Sequence, residues 1–214
     1  MRLFLLSLVL TLSSAVVASA AGALPYGSSL SFVAYRNGEP IGRHTVTFER
    51  DGGQLKVSTS IDLAVKFLGF TAYRYTHRAQ EVWSGGALVS LASTTDDNGT
   101  KHSVTATREA NDITVVHDGK KTLLPSWTLP SSHWNIEQVR QSMLLNTQKG
   151  TEARVNITQG PRENVKTSSG FIPATRYSYT GDVAMNQWFD DRGRWVKTSF
   201  QGSDGSTIEY VLQE

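Results

Sequence analysis

The chain has 214 residues, with 21 Lys and Arg against 19 Asp and Glu, a formal charge of +2 and no cysteine. Charge this balanced, with both signs interspersed, offers no basic stripe to track phosphates and argues against nucleic acid as a partner. The missing cysteine excludes disulfides, thiol catalysis and thiolate metal sites.

The first twenty residues read as a cleaved signal peptide. Arg2 supplies the charge, residues 3–12 form an apolar core too short to span a bilayer, and Ala18-Ser19-Ala20 has the small-x-small cleavage pattern. Cleavage is expected after Ala20, and no cysteine follows that would carry a lipid. An exported protein without disulfides fits a bacterial periplasm better than an extracellular eukaryotic setting. No later apolar run is long enough for a membrane helix. Residues 21–214 are expected to form a single domain, since a chain of this length buries roughly 70% of its unfolded surface.

Strand patterning begins at once. Residues 30–35 lead into an Asn37-Gly38-Glu39-Pro40 turn and residues 41–49 return. Asp51-Gly52-Gly53 then opens a strand over 55–63 in which Leu55, Val57, Thr59, Ile61 and Leu63 alternate with polar residues. Phe67-Leu68-Gly69-Phe70 follows, apolar where a turn is normally polar, and suggests either a cavity rim or lid, or a buried strand crossover. Tyr73, Tyr75 and His77 alternate with Arg74, Thr76 and Arg78, and further strands are expected over 103–108, 113–117 and 121–124.

Pro125 and Pro130 interrupt this pattern, and the one predicted helix, about 135–146, comes next. Asn135 and Gln138 have capping-box spacing, Trp134 and Val139 occupy the staple positions, and Ile136, Val139 and Met143 share a face. Beyond it, strands are expected over 153–159, 165–168, 171–180, 183–189, 195–201 and 207–212, with a turn at Gly160-Pro161. The predicted fold is all-β: a long antiparallel meander forming a curled sheet, half-barrel or barrel, with a single amphipathic helix packed on it.

A possible internal duplication relates residues 55–109 to 153–214, on either side of the loop and helix at 125–146. Tyr73-Arg74-Tyr75-Thr76, Trp83 and Asn98-Gly99 in the first copy match Tyr177-Ser178-Tyr179-Thr180, Trp188 and Asp204-Gly205 in the second. Convergence of two Tyr- and Trp-rich hairpins explains the match equally well.

Several segments resemble a family of secreted bacterial proteins defined only as a domain of unknown function. They are Thr128 to Asn135, Leu144-Leu145-Asn146, Trp188 to Lys197, Gly38 to His44 and Glu81-Val82-Trp83. The resemblance covers most of the chain after residue 20 and implies no activity. More distantly, a meander with one helix against its concave side is similar to the half-barrels of periplasmic lipid and lipoprotein carriers, a likeness of fold alone.

Chemistry is sparse. There is no Gly-x-Ser-x-Gly elbow. Ser131, Ser132 and His133 adjoin in sequence, which is poor geometry for a nucleophile and its base, with Glu81 or Asp190 as acidic partners. The other reading of the serines is as loop residues that lead into the helix. Glu81 is either a polar group beside an aromatic wall or a solvent-facing edge residue. Asp190-Asp191 cannot flank one bond from adjacent strand positions and read as turn formers. The five histidines, His44, His77, His102, His117 and His133, show no local ligand spacing, so no metal or other cofactor is assigned, although a site could assemble across strands.

Binding is what remains. The sequence reads as a non-enzymatic module for an apolar or amphipathic small molecule such as a lipid, with Tyr73, Tyr75, Trp83, Tyr177, Tyr179 and Trp188 as walls, Phe67 and Phe70 at a rim, and His133 at the helix entrance. The alternatives are a hydrolase or lyase centred on His133 with Ser131 or Ser132, and a structural envelope protein with a filled core. Protein partners are not indicated.

Overall fold

Hairpin turns drive the architecture. Asn37 and Gly38 adopt φ of 50° and 87°, and Asn98 and Gly99 adopt 52° and 95°, the left-handed pairs that let two-residue turns follow the twist of the flanking strands. The computed structural model describes residues 25–214, so the predicted signal peptide lies outside the described residues.

The first eight strands are β1 (Ser29–Arg36), β2 (Glu39–Asp51), β3 (Gln54–Phe67), β4 (Phe70–Ser84), β5 (Ala87–Asp97), β6 (Thr100–Arg108), β7 (Asp112–His117) and β8 (Lys120–Pro125). The remaining seven are β9 (Leu129–Pro130), β10 (Met143–Leu145), β11 (Glu152–Lys166), β12 (Phe171–Gly181), β13 (Met185–Asp190), β14 (Trp195–Gln201) and β15 (Thr207–Gln213).

All fifteen belong to one sheet, in the order β8-β7-β6-β5-β4-β3-β2-β1-β15-β14-β13-β12-β11-β10-β9. The chain meanders outward from β1 to β8, crosses to the far edge, and meanders back until β15 pairs with β1. The sheet curls without closing: β8 and β9 are its two edges. Residues of period two turn the apolar side of nearly every strand to the concave face, where Phe32, Val46, Val57, Trp83, Leu91, Val115, Leu144, Phe189 and Trp195 form one continuous core. Rings fill it. Tyr26 stacks on Phe48 with centroids 5.0 Å apart, Trp83 meets Trp134 edge-on at 5.3 Å, and Phe32 stacks on Trp195 at 3.9 Å.

The predicted amphipathic helix does not form. Residues Ile136–Arg140 make a five-residue 3₁₀ turn, and Met143–Leu145 is strand β10. Asn135 does cap the turn, accepting from the Glu137 amide at 3.0 Å, but Gln138 does not reach back to the cap. Its buried amide donates instead to the His133 carbonyl at 3.0 Å. Leu144 and Leu145 are both fully buried between β9 and β11. A twelve-residue helix is marginal by itself, so the loss of its intrahelical bonds is readily offset by strand pairing that buries two leucines.

Gly160-Pro161 is likewise no turn. It is a register irregularity inside the continuous β11, between Gln159 and Arg162, and Pro is tolerated in a strand at such a bulge.

The two tryptophans that anchor the repeat face opposite ways. Trp83 enters the concave core, whereas Trp188 lies with Val165, Ala174 and Val196 in a small cluster on the other face. There its indole donates to Glu163 at 3.0 Å and Lys197 sits 5.3 Å over its ring.

Candidate functional site: buried imidazoles and an apolar arm

Pairing aligns Phe32, His44, Ile61, His77 and Thr95 across five consecutive strands. Directly opposed residues share a face, so both imidazoles point into the curl. His44 is buried among Phe32, Trp195, Tyr210 and His133, with ring centroids 6.2, 5.0, 5.2 and 6.0 Å away. Neither of its ring nitrogens has a hydrogen-bond partner among the described residues. His77 Nδ1 lies 2.8 Å from the Thr95 hydroxyl.

His133 reaches the same place from the loop after β9. Its φ of 68° lies in the left-handed region, which histidine enters more readily than most side chains, and its ring stacks on Trp195 at 5.2 Å. The residue is half-buried, but Nδ1 is shielded from solvent and has no partner among the described residues. Burial, assisted by the neighbouring imidazoles, holds His44 well below the ordinary histidine range. Burial likewise lowers His77, with Arg78 adding to the effect, and His133, with His77 adding, each to about 4. All three are therefore neutral near pH 7.

Glu81 is buried, not a solvent-facing edge residue. It sits on a rung between Val57 and Leu91, and its Oε2 accepts from the indoles of Trp83 at 2.8 Å and Trp134 at 3.1 Å. Burial raises its pKa, while the two indole donors and the nearby Ser132 lower it. Ser132 falls short of a proper hydrogen bond with it: Ser132 Oγ and Glu81 Oε1 both lack a partner among the described residues.

A second polar set surrounds the His133 carbonyl, which accepts from Gln138 at 3.0 Å and Gln187 at 2.9 Å. The Gln187 oxygen in turn accepts from the Tyr179 hydroxyl at 3.1 Å. Ser131 Oγ accepts from the Thr147 amide at 3.4 Å. Thus Glu81, Ser132 and His133 are brought to one region, yet neither serine hydroxyl bonds an imidazole among the described residues. The nucleophile–base contact that hydrolysis needs is not assembled.

The aromatic wall candidates do not converge on one surface. Trp83 and Tyr179 are core residues, Tyr177 packs edge-on against Phe189 at 6.0 Å, and Trp188 lies on the opposite face. Tyr73 and Tyr75 do stand together at one end of the concave face. The Tyr73 hydroxyl donates to Asp97 at 2.7 Å, and the buried Tyr75 hydroxyl has no partner among the described residues. Burial, with Tyr210, Tyr73 and Asp97 nearby, pushes the Tyr75 hydroxyl upward in pKa.

Beyond these tyrosines the β3–β4 hairpin projects past its neighbours. β2 stops pairing with β3 at Gly42–Leu63, and β5 stops pairing with β4 at Tyr75–Asp97. The remaining pairs run from Ala64–Arg74 to Phe67–Phe70 as a free two-stranded arm. At its tip Phe67, Leu68 and Phe70 are 68%, 80% and 78% exposed. By strand parity Phe67, and Phe70 opposite it, continue the concave-face series Ile61, Leu63, Val65. Leu68 adopts φ of 49°, a left-handed conformation that costs a leucine roughly 1 kcal/mol. A strained, exposed leucine contributes nothing to packing.

The model of the family described as "Domain of unknown function (DUF6134)" matches residues 32–213. The chain belongs to this family. The β1–β15 sheet of this DUF6134 member is similar to a crystal structure of a beta-barrel-like protein of domain of unknown function DUF1849 from Brucella abortus. The TM-score is 0.59 at 11% identity, over 87% of this chain and 94% of that one, which supports a shared fold. No curated protein matches the sequence. Among the described residues, no helix is long and apolar enough to cross a membrane.

Sequence reading missed His44, Trp195, Tyr210, Gln138 and Gln187 as neighbours of His133. One signal was present. The Gly52-Gly53 turn pairs Asp51 with Gln54 and so sets His44 opposite Ile61. The next register is hidden, because an irregularity between Val65 and Lys66 shifts β4 by one residue. Counting from the Leu68-Gly69 turn alone would put Thr76, not His77, on that rung.

Proposed function

We propose that this is an exported, non-enzymatic envelope protein that binds an amphipathic, lipid-like molecule along the β3–β4 arm. The carrying observation is the exposed strip Phe67, Leu68 and Phe70, which continues the concave face beyond the filled core. Apolar surface of this kind on a soluble domain marks a place where another apolar surface is received. The arm's base supports an amphipathic occupant, since the unpartnered Tyr75 hydroxyl and the Tyr73–Asp97 pair offer polar groups where the apolar strip begins. The ligand then lies on the rim and not in a central cavity, because aromatic rings occupy the interior.

Protein purified from its own periplasm, extracted with organic solvent and analysed by mass spectrometry, tests this reading. A co-purifying amphiphile is expected from the native chain and should be lost from a Phe67→Ser, Phe70→Ser double variant. An extract without an amphiphile, or equal amounts from both proteins, would overturn it and favour a purely structural role with a filled core.

A further inference from the structure

We propose a divalent transition-metal site at the sheet rim, formed by His102 Nδ1, His117 Nε2 and Asp118 Oδ2. The strand pattern places both histidines. His102 lies in line with Val104 and Ala106 of β6, and His117 with Ile113 and Val115 of β7, so both rings point to the concave side. Val104 pairs with His117 across the β6–β7 ladder, which sets His102 diagonally opposite. Asp118 follows immediately, in the β7–β8 turn, with φ of 46°.

The ligand atoms form a compact triangle. His102 Nδ1 to Asp118 Oδ2 is 3.4 Å, His117 Nε2 to Asp118 Oδ2 is 2.9 Å, and the two ring nitrogens are 3.4 Å apart. Bonds of about 2.0–2.1 Å to a tetrahedral ion require ligand atoms about 3.3 Å from one another. Two edges of the triangle match one face of a zinc-type tetrahedron, and the 2.9 Å edge between His117 and Asp118 opens by about 0.4 Å to complete it.

Supporting contacts fix two of the three ligands. Asp118 Oδ1 accepts from the Ser103 amide at 3.1 Å, which leaves Oδ2 for the ion. His117 is braced by Gly150, where an added Cβ would lie 2.6 Å from His117 Cβ, so only glycine lets this loop lie against the ring. Such outer contacts orient metal ligands. A pocket of about 440 Å³ borders His102 and Asp118 and is also lined by Thr76, Thr95, Asp96 and Lys101, giving a fourth coordination position access to solvent or a small anion.

Two imidazoles and one carboxylate suit Zn²⁺, Cu²⁺ or Ni²⁺ and not the all-oxygen preference of Ca²⁺ or Mg²⁺. The competing arrangement is a His–Asp–His hydrogen-bond cluster with no ion. Calorimetric titration of the untagged mature protein with ZnCl₂, and of His102→Ala, His117→Gln and Asp118→Asn variants, distinguishes the two. We expect one zinc per chain, weakened more than about 100-fold in each histidine variant. Asp118→Asn keeps a residue tolerant of left-handed φ and so preserves the turn, which makes it informative even if a histidine variant misfolds. Absence of zinc binding to the native chain, or wild-type affinity in folded Asp118→Asn and His102→Ala proteins, would overturn the site. Replacement by Co²⁺ should give the intense visible absorption of four-coordinate cobalt, and a weak six-coordinate spectrum would contradict the tetrahedral assignment.

Discussion

Trp134 donates its indole N–H to Glu81 at 3.1 Å, joining two residues 53 positions apart in sequence. Trp83 donates to the same oxygen at 2.8 Å, so this one carboxyl ties the loop after β9 to the C-terminal end of β4. Removing it leaves two indole donors buried without an acceptor. Glu81→Ala should cost about 2–4 kcal/mol in urea unfolding, and Glu81→Gln, which keeps an acceptor oxygen, about 1–2 kcal/mol. Equal losses in the two variants would show that packing, not the indole bonds, carries the effect.

Acidification should destabilise the fold between about pH 6.5 and pH 4. His77 and His133 have folded pKa values of about 4, and His44 is also lowered. In that window the unfolded chain binds protons that the folded chain refuses, so stability is full above the free imidazole pKa and is lost as pH falls. A shift from the ordinary value of about 6.5 to about 4 is worth about 3 kcal/mol per group. Glu81 acts in the opposite sense. Its raised pKa favours the folded state most below the free carboxyl value and less as pH rises, but it is one group against three. Urea midpoints measured from pH 7 to pH 4 should fall, and a His77→Gln variant should flatten the slope.

Leu68 tests a trade of stability against binding. Leu68→Asn relieves a left-handed leucine in a turn that favours asparagine, and should stabilise the protein by about 0.5–1 kcal/mol. The same change removes the most exposed apolar residue of the arm, so uptake of a dansyl-labelled fatty acid should fall. A variant that gains stability without losing uptake would place binding elsewhere.

Phe67 and Phe32 should differ sharply although both are phenylalanines on strands. Phe32 is fully buried and stacked on Trp195, so Phe32→Ala should cost about 3–5 kcal/mol. Phe67→Ser, at an exposed tip, should change stability by no more than about 0.5 kcal/mol. Thermal and urea unfolding of the pair would check this.

Gly42 marks a close approach of β2 to β3. A Cβ there would lie 1.9 Å from the Asp62 carbonyl oxygen. Gly42→Ala should therefore displace backbone, costing more than about 2 kcal/mol, and should disturb the Gly42–Leu63 pair at the base of the arm. Hydrogen exchange at the Leu63 and Ala64 amides would report the loosening.

The all-β class is written in the residues themselves, because alternation and Asn-Gly or Asp-Gly turns are local signals that need no knowledge of distant partners. Strand β14 was legible to the residue, and the β2–β3 register could be counted from one turn. The sequence also marked Glu81, Ser132 and His133 as residues worth attention. The fate of 135–146 depends on distant strands, since Leu144 and Leu145 satisfy a helical face and a buried strand equally well until β9 and β11 supply partners. Folding aligns His44 with His77 through a register irregularity, and it brings ligand atoms of His102, His117 and Asp118 within 4.8 Å of one another. Local preferences are set within a few residues, whereas the meeting of side chains across strands depends on register, and a single bulge changes register without a mark in the residues it brings together.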